Sequence, residues 1–207
     1  MLSWVLTAFV VQPRRPVVLG RKIFLKLRRR TRVERQSQRG LPVTAPTPKE
    51  IAKRFTAYYQ PIVDLNTGAV AGFEALARVV ESDGSVKTAG AVIENIERRS
   101  DTLKALIRTI LAAIRRDMVP LFHRHQHFYV SVNIPPVILG RGQVLPIIEE
   151  LGLTPYLSRI ACEVTERQAL TSVGRTALER AQQVGMSVAI DDFGTGQRLD
   201  ANRRSRF

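Results

Sequence analysis

Apolar and polar positions change period several times between residues 55 and 191. Tyr58–Leu65 is rich in aromatic and β-branched residues and predicts a strand; Asn66-Thr67-Gly68 predicts a turn, and Ala69–Arg78 a second strand. So short a link permits only an antiparallel pair. The Gly-, Ser- and Asp-bearing stretch 81–90 predicts a loop, and Ala91–Arg98 a short helix. Over Thr102–Asp117 the residues Leu103, Leu106, Ile107, Ile110, Leu111 and Ile114 recur at helical spacing, which predicts a helix lying against the sheet. Strand Phe128–Ile134, helix Val144–Leu151 stopped by Gly152, strand Arg159–Thr165, helix Ser172–Val184 closed by Gly185, and strand Met186–Asp191 follow. Strands alternating with helices make this an α/β fold with a largely parallel sheet.

The two ends differ from this middle. Residues 2–11 form an apolar run about half as long as a membrane-spanning helix requires. Arg14, Arg15, Arg21, Lys22, Lys26 and Arg28-Arg29-Arg30 follow it, so the leader resembles a clipped membrane helix with its cytoplasmic flank, or a polybasic anchor at the inner membrane face; a plain basic leader is the alternative. Residues 36–49 are polar and Pro-rich and predict a linker, with the domain beginning near Glu50. The net charge of +14 belongs to these ends. Residues 1–54 carry 14 Lys and Arg against 2 acids, residues 55–197 carry 14 against 15, and the tail 198–207 carries 4 against 1. A near-neutral middle argues against a specific nucleic-acid-binding domain. The single Cys162 excludes an internal disulfide, fits a cytoplasmic location, and sits in a strand as a packed thiol.

Candidate chemistry lies at the strand ends. Side chains alternate across a strand, so Glu74, Asn133, Glu163 and Asp191 share one face, with small residues two positions before each: Gly72, Ser131, Ala161 and Ala189. The other face carries Phe73, Ala75, Val132, Ile134, Cys162, Val164, Val188 and Ile190 and suits packing under helices. Four oxygen-bearing side chains in one phase, at the ends where barrel enzymes keep their sites, predict a site for a hard divalent cation, Mg2+ or Mn2+ rather than Zn2+. His123, His125 and His127 lie before a strand, at the opposite end, and predict a solvated loop.

Five ordered motifs carry a resemblance: Tyr59-Gln60-Pro61-Ile62-Val63, Glu74-Ala75-Leu76, Ser131-Val132-Asn133, Glu163-Val164-Thr165-Glu166, and Asp191-Asp192-Phe193-Gly194-Thr195-Gly196. Together they resemble the EAL family of cyclic-di-GMP phosphodiesterases, from about Phe55 to Gly196. The resemblance implies a TIM-like (β/α) barrel with an antiparallel first strand, and metal-dependent hydrolysis of cyclic-di-GMP to the linear dinucleotide. It implies that Glu74, Asn133, Glu163 and Asp191 hold one metal and that Asp192 reaches a second. Glu166 would hold the loop after the double Asp, and Gln60, Leu76 and Arg78 would contact the dinucleotide. Past Gly196 the sequence departs from the family pattern. The last three strand and helix units, with the family's lysine, general-base glutamate and a further glutamine, are expected to be absent. The strand at 186–191 is then expected to keep an open edge, favouring self-association as a homo-oligomer. The alternative to an enzyme is a catalytically silent remnant or a cyclic-di-GMP receptor.

Overall fold

A computed structural model describes residues 5–11, 24–26 and 46–191. In chain order the elements begin with strands β1 (Val5–Val11) and β2 (Phe24–Lys26), helix α1 (Pro48–Arg54), and strands β3 (Phe55–Asp64), β4 (Val70–Val80) and β5 (Val86–Thr88). Helices α2 (Gly90–Glu97), α3 (Ser100–Asp117) and α4 (Val119–Arg124) lead into β6 (Tyr129–Asn133). After α5 (Pro136–Gly140), α6 (Leu145–Glu150) and a 3-10 turn over 154–159 comes β7 (Ile160–Thr165), then α7 (Glu166–Ala169), α8 (Ser172–Gln183) and β8 (Ser187–Asp191).

The antiparallel hairpin of β3 and β4 anchors the sheet, with Gln60 opposite Glu74 and Tyr58 opposite Leu76. Its turn closes because Asp64 accepts from the Asn66 backbone at 2.8 Å and Gly68 takes a positive φ of 70°, a conformation that suits glycine. Onto β4 the strands β6, β7 and β8 then add in parallel, each beside the last. Helix α3 buries the stripe expected of it, Leu103, Leu106, Ile107, Ile110, Leu111 and Ile114, and these join the outward faces of the strands, Val130, Val132, Ile160, Cys162 and Val164, in one core. Beneath the strands, at their N-terminal ends, Arg159 donates to the carbonyls of Phe128 (2.8 Å), Phe122 (2.7 Å) and His125, with its guanidinium 4.4 Å from the Phe122 ring centre. That clamp holds the loop carrying His123, His125 and His127, all exposed, at the end of the sheet remote from the strands' C-terminal ends.

Several expectations are corrected. The strand ending at Asp191 has no open edge: β1 pairs antiparallel with β8, β2 bridges β1 to β3, and because β3 also pairs with β4 the strand order returns on itself. Residues 5–11, within the apolar run read as a clipped membrane helix or part of a basic leader, form a strand, and their β-branched residues favour the extended chain. Among the described residues no helix is long and apolar enough to cross a membrane. Helix α1 begins inside the stretch expected as linker. Thr47 caps it, Pro48 opens it, and the Glu50 carboxylate accepts from the Thr47 backbone N–H at 2.7 Å, a capping box. Within 81–90, expected as loop throughout, the Asp83-Gly84 turn folds β5 back onto the end of β4. The remaining leader residues and the tail 192–207 lie outside the described residues.

Candidate active site

The lumen face of the sheet is built in rungs. One rung runs Gln60, Glu74, Ser131, Ala161, Ser187 across β3, β4, β6, β7 and β8; the next, nearer the mouth, runs Tyr58, Leu76 on the first two strands and Asn133, Glu163, Ala189 on the last three. Asp191 ends β8 opposite Thr165, one rung higher again. For Glu74, Asn133 and Glu163 the register agrees with the face assigned from parity. Glu74 and Glu163 are 1% and 3% exposed, whereas Asn133 stands exposed at the mouth and directs its amide Nδ2 to Glu74 Oε1 at 3.3 Å. Small residues make the room. At Gly72 a Cβ would fall 2.8 Å from a carbon of the Tyr129 ring, so only glycine lets that ring lie across the lumen floor. Burial, and then the charge of Glu163, push the Tyr129 phenol above its usual pKa.

Beside the mouth, the Glu166 backbone opens α7 directly after β7. Thr165 and Gln168 exchange side chain to backbone hydrogen bonds at 3.1 and 3.3 Å. Thr171 then donates to the Gln168 carbonyl at 2.7 Å and accepts from the Gly174 backbone at 2.9 Å, capping α8. The loop leaving β7 is therefore held by its own polar residues. Arg78 lies two rungs above Glu74 with Nη1 on the Ala77 carbonyl at 2.9 Å. On the opposite face Cys162 is fully buried, and burial pushes its thiol up to about 12, which rules it out as a nucleophile.

Of the expected cation ligands, Glu74, Asn133 and Glu163 occupy neighbouring rungs, Asp191 is placed by backbone pairing alone, and Asp192 lies outside the described residues. Among the described residues no three His, Cys, Asp or Glu side chains form a closed cluster. The donors nonetheless fit a hard divalent cation: two buried carboxylates, an amide already oriented on one of them, and a buried hydroxyl, Ser131 Oγ, with no hydrogen-bond partner among the described residues. Sequence reasoning passed over two residues. Tyr58 stands on the lumen face beside Leu76 and is 48% exposed, an aromatic surface at the mouth. Its parity with Gln60 was the available signal. Tyr129 was passed over because its ring fills space that Gly72, from another strand, leaves free.

The EAL domain family model matches residues 48–199. A protein of Escherichia coli strain K12 named Probable cyclic di-GMP phosphodiesterase PdeB is 29% identical over 143 residues, covering 67% of this chain and 27% of that protein. Cyclic di-GMP phosphodiesterase NbdA of Pseudomonas aeruginosa is 31% identical over 146 residues, covering 67% of this chain and 18% of its own length. The chain thus spans less than a third of either relative. Among solved structures, the EAL enzyme Bd1971 in its cAMP- and cyclic-di-GMP-bound form superposes with a TM-score of 0.56 at 28% identity, over 70% of this chain and 42% of that one. The phosphodiesterase PaMucR in complex with cyclic-di-GMP superposes with a TM-score of 0.58 at 24% identity, over 70% and 60%. With the family model covering most of its length and the motif residues ranked along one lumen face, the chain belongs to the EAL domain family.

Proposed function

We propose that this chain binds cyclic-di-GMP at the C-terminal ends of its parallel strands and hydrolyses one of its phosphodiester bonds to the linear dinucleotide, using Mg2+ or Mn2+. The observation that carries the reading is the contact of Asn133 with Glu74 at 3.3 Å, beside a buried Glu163 on the adjoining rung. Glu74, Asn133, Glu163 and Asp191 are the proposed ligands of one cation, and Asp192 of a second. Cations held there supply positive charge to the phosphoryl group and acidify the attacking water.

The chain's own residues do the rest. Glu74 and Glu163, sunk below the mouth, bring negative charge to a place that water reaches poorly, so a divalent cation gains strong, directional oxygen donors there. Asn133 spans the boundary between those carboxylates and solvent. Glu166, which opens α7 after β7, is the proposed holder of the segment that follows the double Asp. Gln60, Leu76 and Arg78 line the side of the mouth made by the first hairpin, where Arg78 can leave the Ala77 carbonyl for a phosphate oxygen, a stronger charge-assisted partner. Tyr58 beside them offers a face for a guanine base. Leu76 supplies apolar contact.

Incubation of the 207-residue chain with cyclic-di-GMP and Mg2+ or Mn2+ tests the reading. Linear dinucleotide should form and should vanish with chelator and in Glu163→Gln. Binding without product in the wild-type chain would reject hydrolysis and leave a receptor.

A further inference from the structure

Ser131 carries a hydroxyl on the Glu74 rung that the proposed reaction leaves unused. It is 1% exposed, and its Oγ has no hydrogen-bond partner among the described residues. Parity puts it on the lumen face, register puts it directly beside Glu74, and it stands two residues before Asn133, whose amide touches that same carboxylate. Elsewhere in these two rungs β7 and β8 place Ala161 and Ala189, where only small size is needed, and Ser187, whose hydroxyl, unlike that of Ser131, has a partner in the Ser158 carbonyl at 3.5 Å. A hydroxyl buried with no partner destabilises a fold, so alanine would serve the cation-free fold better.

We infer that Ser131 is a positioning residue for the cation site, its hydroxyl donating to the Glu74 side of the ligand set, directly or through one water, when a divalent cation draws those oxygens into place. The inference rests on the reading of the strand ends as a cation site. Groups that orient metal-ligating carboxylates typically change metal affinity by about 10- to 100-fold when removed. A buried water there would have the two or more polar partners it needs, in Ser131 and its carboxylate neighbour.

The test uses the full chain with Ser131→Ala, close to serine in volume, and the slightly larger, weakly donating Ser131→Cys. Free Mn2+ is followed by electron paramagnetic resonance, and thermal unfolding is recorded separately in chelator. Both variants should bind Mn2+ about 10-fold or more weakly, while the cation-free midpoint of Ser131→Ala stays level or rises. A purely packing role would instead lower that midpoint for Ser131→Ala alone, and would overturn the inference. Unchanged Mn2+ affinity in both variants beside a binding wild type would overturn it too, leaving the cation site standing. A wild-type chain that binds no Mn2+ would overturn the cation site itself, and this inference with it.

Discussion

Gly174→Ala is a perturbation whose sign separates packing from helix propensity. Gly174 lies in the first turn of α8, and an alanine Cβ there would overlap the carbonyl oxygen of Gln168, with the carbonyl carbon at 2.7 Å and Ala169 Cα at 3.0 Å. All three are backbone atoms that cannot rotate aside. Alanine gains up to about 1 kcal/mol over glycine within a helix, and less near its end. Overpacking against fixed atoms costs about 1–3 kcal/mol. The net expectation is destabilisation by about 1–2 kcal/mol, which in a domain of this size lowers Tm by roughly 2–8 °C. Gly90→Ala is the internal control. It opens α2, its Cβ would meet nothing within 4 Å, and it should leave Tm level or raise it. Because the displaced segment starts at the end of β7, Gly174→Ala should also weaken cyclic-di-GMP binding. Melting curves followed by circular dichroism decide the point: a Tm for Gly174→Ala equal to or above wild type would refute the close approach.

Two further outcomes follow from the burial of Cys162 and the pairing of β1. The Cys162 thiol, pushed up to about 12 by burial, should resist a thiol-specific reagent at pH 8 in the folded chain and react fully in guanidinium. Since burial favours the neutral thiol, its contribution to stability should hold below the usual thiol pKa and decline as pH rises from there towards 12; rapid labelling of the native chain would contradict the burial. Removing residues 1–45 strips β1 from β8 and β2 from β3, so amides in 187–191 should exchange faster with solvent and the shortened chain should self-associate; unchanged exchange would show that β1 does not cover that edge.

The elements legible in the sequence are those whose period repeats. Helix α3 shows its buried stripe over 18 residues, and the lumen face follows from the alternation on β4, β6 and β7, so Glu74, Asn133 and Glu163 could be assembled from parity alone. Helices α4, α5 and α7 span six, five and four residues, too few turns for a period to show. Helix α1 carried a legible signal, Thr47-Pro48-Lys49-Glu50, inside a stretch whose prolines suggested a linker. The pairing of β1 could not be read locally. Its partner β8 lies some 180 residues along the chain, and a seven-residue apolar run followed by arginines suits a membrane flank as well as a strand. The ring of Tyr129 over Gly72 is likewise a contact between strands that only register brings together.

The most direct test of the site is a calorimetric titration of cyclic-di-GMP into the full chain, with Mn2+ and again in excess chelator, beside Glu74→Ala. The account predicts saturable binding with Mn2+ that weakens by at least about tenfold on chelation and in the variant, as expected for a site whose buried carboxylates act through a cation. Binding of equal strength in all three conditions, or none in any, would contradict it.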